Sequence, residues 1–223
     1  MKKPIFFVLA ALLMASLACN FSGLGGAPLP EGVLFQDDFS GRGGGWDSIS
    51  DTDGTTDYAD GEYRILVNTD NTDFWSNPKT DKFSDVIIEV DARRAGGPDV
   101  NVFGAQCRHE KTGSDENPIY KFYFFVIGSD GYATIGKVDT TRGEADAYTY
   151  FDYSENNTVI KPSETNRIVA SCIGSTLTLS VNGTQLLSVQ DSSLISGDVG
   201  LIAGTFDEPG ADILFDNFVV RKP

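Results

Sequence analysis

Three groups of residues in this 223-residue chain could carry chemistry. The first is acidic. Glu89 and Asp91 lie two apart in a strand-like run, and a pair of carboxylates is what glycoside hydrolysis requires. Positions two apart on a strand are about 7 Å apart, an ordinary spacing on any solvated face, so with Arg93 the pair reads as surface charge. Asp51, Asp53, Asp57 and Asp60 imitate part of a calcium loop, but Ile49 occupies the first ligand position and no helix flanks the segment. The second group is basic or nucleophilic. His109 is the only histidine, and Glu110 follows it. Neighbours on a strand face opposite ways, so His109 reads as a strand-end surface residue. There is no Gly-x-Ser-x-Gly elbow, no Cys-x-x-Cys, and residues 41–45 lack the Lys-Ser/Thr of a phosphate loop.

The third group pairs flat apolar rings with hydrogen-bonding side chains, which is what a sugar ring needs: a surface for its C–H face and partners for its hydroxyls. If Phe103, Ala105 and Cys107 face a core, Gln106 and Arg108 face out. If Phe122, Phe124 and Val126 are core, Lys121, Tyr123 and Phe125 face out. Tyr132 and Thr134 continue that patch if Ala133 and Ile135 are buried, and Trp75 is a further stacking candidate. The candidate ligand-binding residues are therefore Gln106, Arg108, Tyr123, Tyr132 and Trp75.

The elements that must position them are strands. Residues 61–67, 86–92, 101–108, 120–127, 132–138, 167–173, 176–181, 185–189, 199–203 and 213–221 each run strand-like, with Gly, Asn and Asp turns between them. Gly128-Ser129-Asp130-Gly131 joins two of them as a hairpin. No segment sustains a 3.6-residue apolar period. With 24 glycines and 40% hydrophobic residues, this predicts one all-β domain, a jelly-roll sandwich of two antiparallel sheets over residues 33–223.

Ahead of that domain, Lys2 and Lys3, a short apolar run and small residues up to Ala18 make residues 1–18 an export signal. Cys19 then resembles the lipidated cysteine of bacterial lipoproteins, and the Gly/Pro-rich residues 19–32 read as a flexible tether. The expected location is the cell surface, with the membrane touched only through the lipid. A net charge of −15 argues against nucleic acid and against an anionic bilayer, and favours neutral over acidic glycans. Cys107 and Cys172 remain as an even pair on the apolar faces of their strands, either disulfide-bonded or two buried thiols.

Several runs carry a family resemblance. They are Leu34-Phe35-Gln36-Asp37-Asp38-Phe39-Ser40 with Trp46, Asp60-Gly61-Glu62-Tyr63-Arg64-Ile65, residues 83–93, residues 166–183, Ser196-Gly197-Asp198-Val199-Gly200-Leu201 and Phe215-Asp216-Asn217-Phe218. Together they resemble the concanavalin A-like lectin/glucanase sandwich, close to 3-keto-disaccharide hydrolase-type and LamG-like bacterial modules. The resemblance spans roughly residues 34–222 and implies ligands on a concave sheet face. It also implies a structural Ca²⁺ in the manner of family 16 glycoside hydrolases, with Asp216 and the carbonyl of Gly61 as ligands. The Glu-x-Asp-x-x-Glu catalytic strand of those hydrolases is not matched: Glu89-Val90-Asp91 is followed by Ala92, Arg93 and Arg94. The expected function is non-catalytic binding of a glycan. A hydrolase of the 3-keto-disaccharide type and an adhesion module without a small ligand are the alternatives.

Overall fold

The structure is a computed structural model that describes residues 29–80 and 82–223. The export segment, Cys19 and most of the tether lie outside the described residues. The strands in chain order are β1 (Val33–Asp37), β2 (Ile49–Ser50), β3 (Gly54–Ala59), β4 (Glu62–Val67), β5 (Asp73–Ser76), β6 (Val86–Gly96), β7 (Asn101–Ser114), β8 (Asn117–Ile127), β9 (Tyr132–Asp139), β10 (Tyr148–Glu155), β11 (Asn166–Ile173), β12 (Thr176–Val181), β13 (Thr184–Gln190), β14 (Asp198–Thr205) and β15 (Ala211–Arg221). Two short 3₁₀ turns lie between β9 and β10.

The strands form the expected all-β jelly-roll sandwich. A nine-stranded sheet has the order β13-β12-β11-β6-β15-β4-β3-β2, with β1 paired to β15. A six-stranded sheet has the order β10-β9-β8-β7-β14-β5. All of these pairings are antiparallel. Alternation explains the sandwich: Val86, Ile88, Val90 and Ala92 of β6 are buried, while Glu89 and Asp91 face out and pair with arginines. From the other sheet, Phe103, Ala105 and Cys107 of β7 enter the same core, as expected. Cys107 and Cys172 are disulfide-bonded and so join β7 to β11 across the two sheets.

One face assignment is corrected. On β8 it is Tyr123, Phe125 and Ile127 that enter the inter-sheet core, while Phe122, Phe124 and Val126 form a second apolar cluster on the outer side of the six-stranded sheet. Both faces of this strand are apolar, so alternation alone names two faces without saying which is inside.

Candidate functional site

The outer face of the six-stranded sheet is concave. β5 and β10 are its two edges, five strand steps or about 24 Å apart if the sheet were flat. Yet the Tyr148 phenol on β10 donates to Asp73 Oδ2 on β5 at 2.7 Å. Twist brings them together: about 20–25° per strand over five steps turns opposite corners toward one another above the face.

The floor is set strand by strand. β7 contributes Val102 and Gly104, β8 Phe122, Phe124 and Val126, β9 Thr134, Gly136 and Val138, and β14 Gly200, Ile202 and Gly204. Small residues let rings lie close to the backbone. A Cβ on Gly136 would sit 2.2 Å from Phe124 Cζ, so the Phe124 ring rests where that side chain would be. No carboxylate stands on these central positions of β7, β8 and β9.

At one end of the groove, hollows of about 310 and 220 Å³ share Val102, Val126, Thr134, Tyr150 and Phe206 in their walls. Here exposed apolar surface gathers. Val100, Tyr132, Tyr148, Tyr150, Tyr153 and Phe206 are six of the ten large apolar side chains exposed among the described residues. Tyr150 and Tyr153 are 62% and 74% exposed. Tyr148 and Tyr150 are nearly parallel, 6.3 Å apart and 18° between planes, and Phe124 packs edge-on to Tyr150 at 5.8 Å. Asp73, Asn71 and Thr205 add polar groups to the wall.

At the other end, a cavity of about 640 Å³ is lined by Trp75, Asn77, His109, Glu110, Tyr120 and Asp198 among others. Trp75 stands edge-on to Tyr120 at 5.2 Å and tilted over Phe122 at 5.4 Å. The His109 ring lies 5.3 Å from Phe122, and its Nε2 is buried without a partner. Burial pushes its pKa down to about 4. Burial also pushes the Asp198 carboxyl up, although Thr80 Oγ1 donates to it at 2.7 Å.

The sequence-predicted residues divide between this groove and the core. Trp75 lines the large cavity, and Tyr132, 45% exposed, lines the opposite end with Thr134. Gln106 lies on the groove side but is fully covered, its Nε2 shared between Asn77 Oδ1 and Leu201 O at 3.4 Å each. Arg108 and Tyr123 are corrected: they are 2% and 0% exposed and point inward. A bulge puts Arg108 and His109 of β7 between the pairs Cys107–Tyr123 and Glu110–Lys121, and Arg108 takes φ 54° there. Its guanidinium donates to the carbonyls of Leu194, Gly174 and Ser84 at 2.6, 2.9 and 3.1 Å and lies over the Tyr123 ring. The same bulge turns His109 onto the groove, which corrects its reading as a strand-end surface residue. Tyr148, Tyr150, Tyr153 and Asp73 were missed. Their signal was present as tyrosines at positions 148, 150 and 153 of an unassigned strand, Tyr148-Thr-Tyr-Phe-Asp-Tyr153.

Around Asp216, burial and the nearby Glu62, Asp91 and Asp38 push the carboxyl up. Glu62 is bonded to Arg93, and Asp91 to Arg167 and Asn217. Among the described residues no three His, Cys, Asp or Glu side chains gather as a metal site. Gly61 sits in the β3–β4 turn with φ 86°. Asp216 Oδ1 itself accepts from the Asn217 backbone N–H at 2.7 Å.

No family model and no curated protein matches the chain by sequence. Among solved structures, the carbohydrate binding module CBM66 from Bacillus subtilis superposes with a TM-score of 0.60 at 15% identity, covering 80% of this chain and 96% of that one. A Bacillus subtilis protein of unknown function with a galectin-like fold gives 0.59 at 12% identity, covering 85% and 96%. A Bacillus licheniformis beta-glucanase gives 0.56 at 12%, covering 87% and 100%. At such identities the likeness fixes the fold alone, a jelly-roll β-sandwich.

Proposed function

We propose that this chain is a non-catalytic glycan-binding module, exported and held at the cell surface by a lipid on Cys19, and that its ligand is a neutral glycan lying in the concave face of the six-stranded sheet. The observation that carries this reading is the gathering of exposed tyrosines and Phe206 at one end of the groove, beside Asp73, Asn71 and Thr205. Exposed rings with polar partners offer a sugar both its stacking face and its hydroxyl partners. The groove floor supports binding over hydrolysis, because its central positions carry no carboxylate pair. The structural likeness to a carbohydrate binding module supports the same class.

A second reading has its own observation. Asp198, with its carboxyl pushed up by burial, lines the cavity of about 640 Å³ together with His109 and Glu110. Two carboxyls facing one cavity are what a glycoside hydrolase, here of the 3-keto-disaccharide type, would employ.

The test is a glycan array on the full chain, with calcium and then with chelator, repeated on Tyr150→Ala. Saturable binding to neutral glycans that weakens about tenfold in Tyr150→Ala, with the melting midpoint unchanged, is expected, since truncating an aromatic anchor of a binding site costs more than about 1 kcal/mol. Product release abolished by Asp198→Asn would establish the hydrolase instead. Silence on the array with no turnover would leave the adhesion module.

A further inference from the structure

Asp73 is an unusual carboxylate for a surface groove. It lies over Gly204, where a Cβ would stand 1.8 Å from its Oδ1, so only glycine leaves it room on the concave face. Burial pushes its carboxyl up, and among the described residues no lysine or arginine pairs with it. Its one side-chain donor is the Tyr148 phenol, at 2.7 Å to Oδ2. That phenol comes from the opposite edge of the sheet and spans the groove to reach it. The Tyr148 ring is itself 40% exposed and rests against Phe124 and Tyr150 at 6.2 and 6.3 Å. A carboxylate has room for about four hydrogen bonds on its two oxygens. Here a half-buried one has a single hydroxyl donor, next to a hollow of about 220 Å³ walled by aromatic rings.

We propose that Asp73 is the specificity-determining acceptor of the groove, taking hydroxyls of a neutral sugar ring, and that the Tyr148 phenol stands in for a ligand hydroxyl until the ligand displaces it. The proposal rests on the glycan-binding reading and narrows it. A partly desolvated carboxylate with no cation beside it welcomes neutral O–H donors and repels a uronate or sulfate. Two neighbouring hydroxyls of one pyranose would supply more donors than the single phenol does. The Tyr148–Asp73 bond also closes the groove over its floor, so displacement opens the path between the tyrosine end and the Trp75 cavity.

Two isosteric variants test this on the full chain, by calorimetric titration with the neutral oligosaccharide that scores highest on the array. Asp73→Asn removes the charge and one acceptor oxygen; affinity is expected to fall at least tenfold. Tyr148→Phe removes only the competing hydroxyl; affinity is expected to stay level or rise several-fold, and hydrogen exchange of residues 147–155 to quicken. Both variants are expected to melt with the wild type. Asp73→Asn binding as tightly as wild type overturns the proposal, as do uronate or sulfated glycans outcompeting neutral ones. Tyr148→Phe losing affinity in step with Asp73→Asn also overturns it, because the phenol would then be a ligand contact rather than a stand-in. If Tyr150→Ala loses binding while Asp73→Asn keeps it, the glycan reading stands and this proposal falls. If the wild type binds no glycan, both fall.

Discussion

His109 shows how one residue's setting fixes its chemistry. Its ring is held among Phe122 and Tyr120 with Nε2 buried and unpartnered, and burial lowers its pKa to about 4 from 6.5. A base whose folded pKa is depressed takes its proton first in the unfolded chain. Stability is therefore unaffected above pH 6.5 and is lost as pH falls from about 6.5 to about 4, below which the loss levels off. At 1.36 kcal/mol per pH step, a drop of about 2.5 steps makes the effect at most about 3–4 kcal/mol. Asp73 and Asp198, with carboxyls pushed up, act in the opposite sense on acidification. The comparison with His109→Phe isolates the histidine: the wild type should lose more stability between pH 7 and pH 4 than the variant, measured by denaturant midpoints. Parallel pH profiles would mean that His109 is solvated.

At the scale of elements, the groove depends on β9 lying tight between β8 and β10. Gly136 is the point of closest approach: an added methyl would meet Phe124 Cζ at 2.2 Å and the Thr149 carbonyl at 2.7 Å. A phenyl ring and a backbone carbonyl have little freedom to move. Gly136→Ala is expected to cost about 1–3 kcal/mol by overpacking. It should also displace the Phe124 ring on which Tyr148 and Tyr150 rest, so glycan affinity and denaturant midpoint should fall together. An unchanged midpoint would show that β8 and β9 can part without cost. The bulge in β7 belongs to the same scale. It turns Arg108 inward to tie the segments around Ser84, Gly174 and Leu194, and turns His109 outward.

For the whole molecule, the question is what holds the concave sheet against its partner. A large shared core does most of this, with Tyr63, Ile88, Phe103, Tyr123, Phe125 and Phe215 fully buried. The Cys107–Cys172 bond adds a covalent link between the sheets, closing a loop with a sequence separation of 65. Restricting the unfolded chain this way is worth roughly 4 kcal/mol on chain-entropy grounds. The double variant Cys107→Ala/Cys172→Ala should unfold about 2–4 kcal/mol more easily in the absence of reductant, and the wild type in strong reductant should approach it. Equal stability would leave the link without a role in the folded domain.

Legible in the sequence alone were the all-β class, the positions of ten strands, the Gly128–Gly131 hairpin turn and the inward faces of β6 and the first half of β7. Those are local properties: alternation with unlike faces, and glycines where the chain must reverse. Tyr132 and Thr134 were placed facing out by the same logic, and Trp75 was named as a stacking ring without a face. Three further features depend on contacts that are less local. Alternation cannot choose a side for β8, because Phe122, Phe124 and Val126 are as apolar as Tyr123, Phe125 and Ile127, and both sets are buried. Nor does it reveal the bulge that reverses the parity of β7 at Arg108 and His109. The meeting of Tyr148 with Asp73, 75 residues apart in the chain, depends on twist summed over the whole six-stranded sheet.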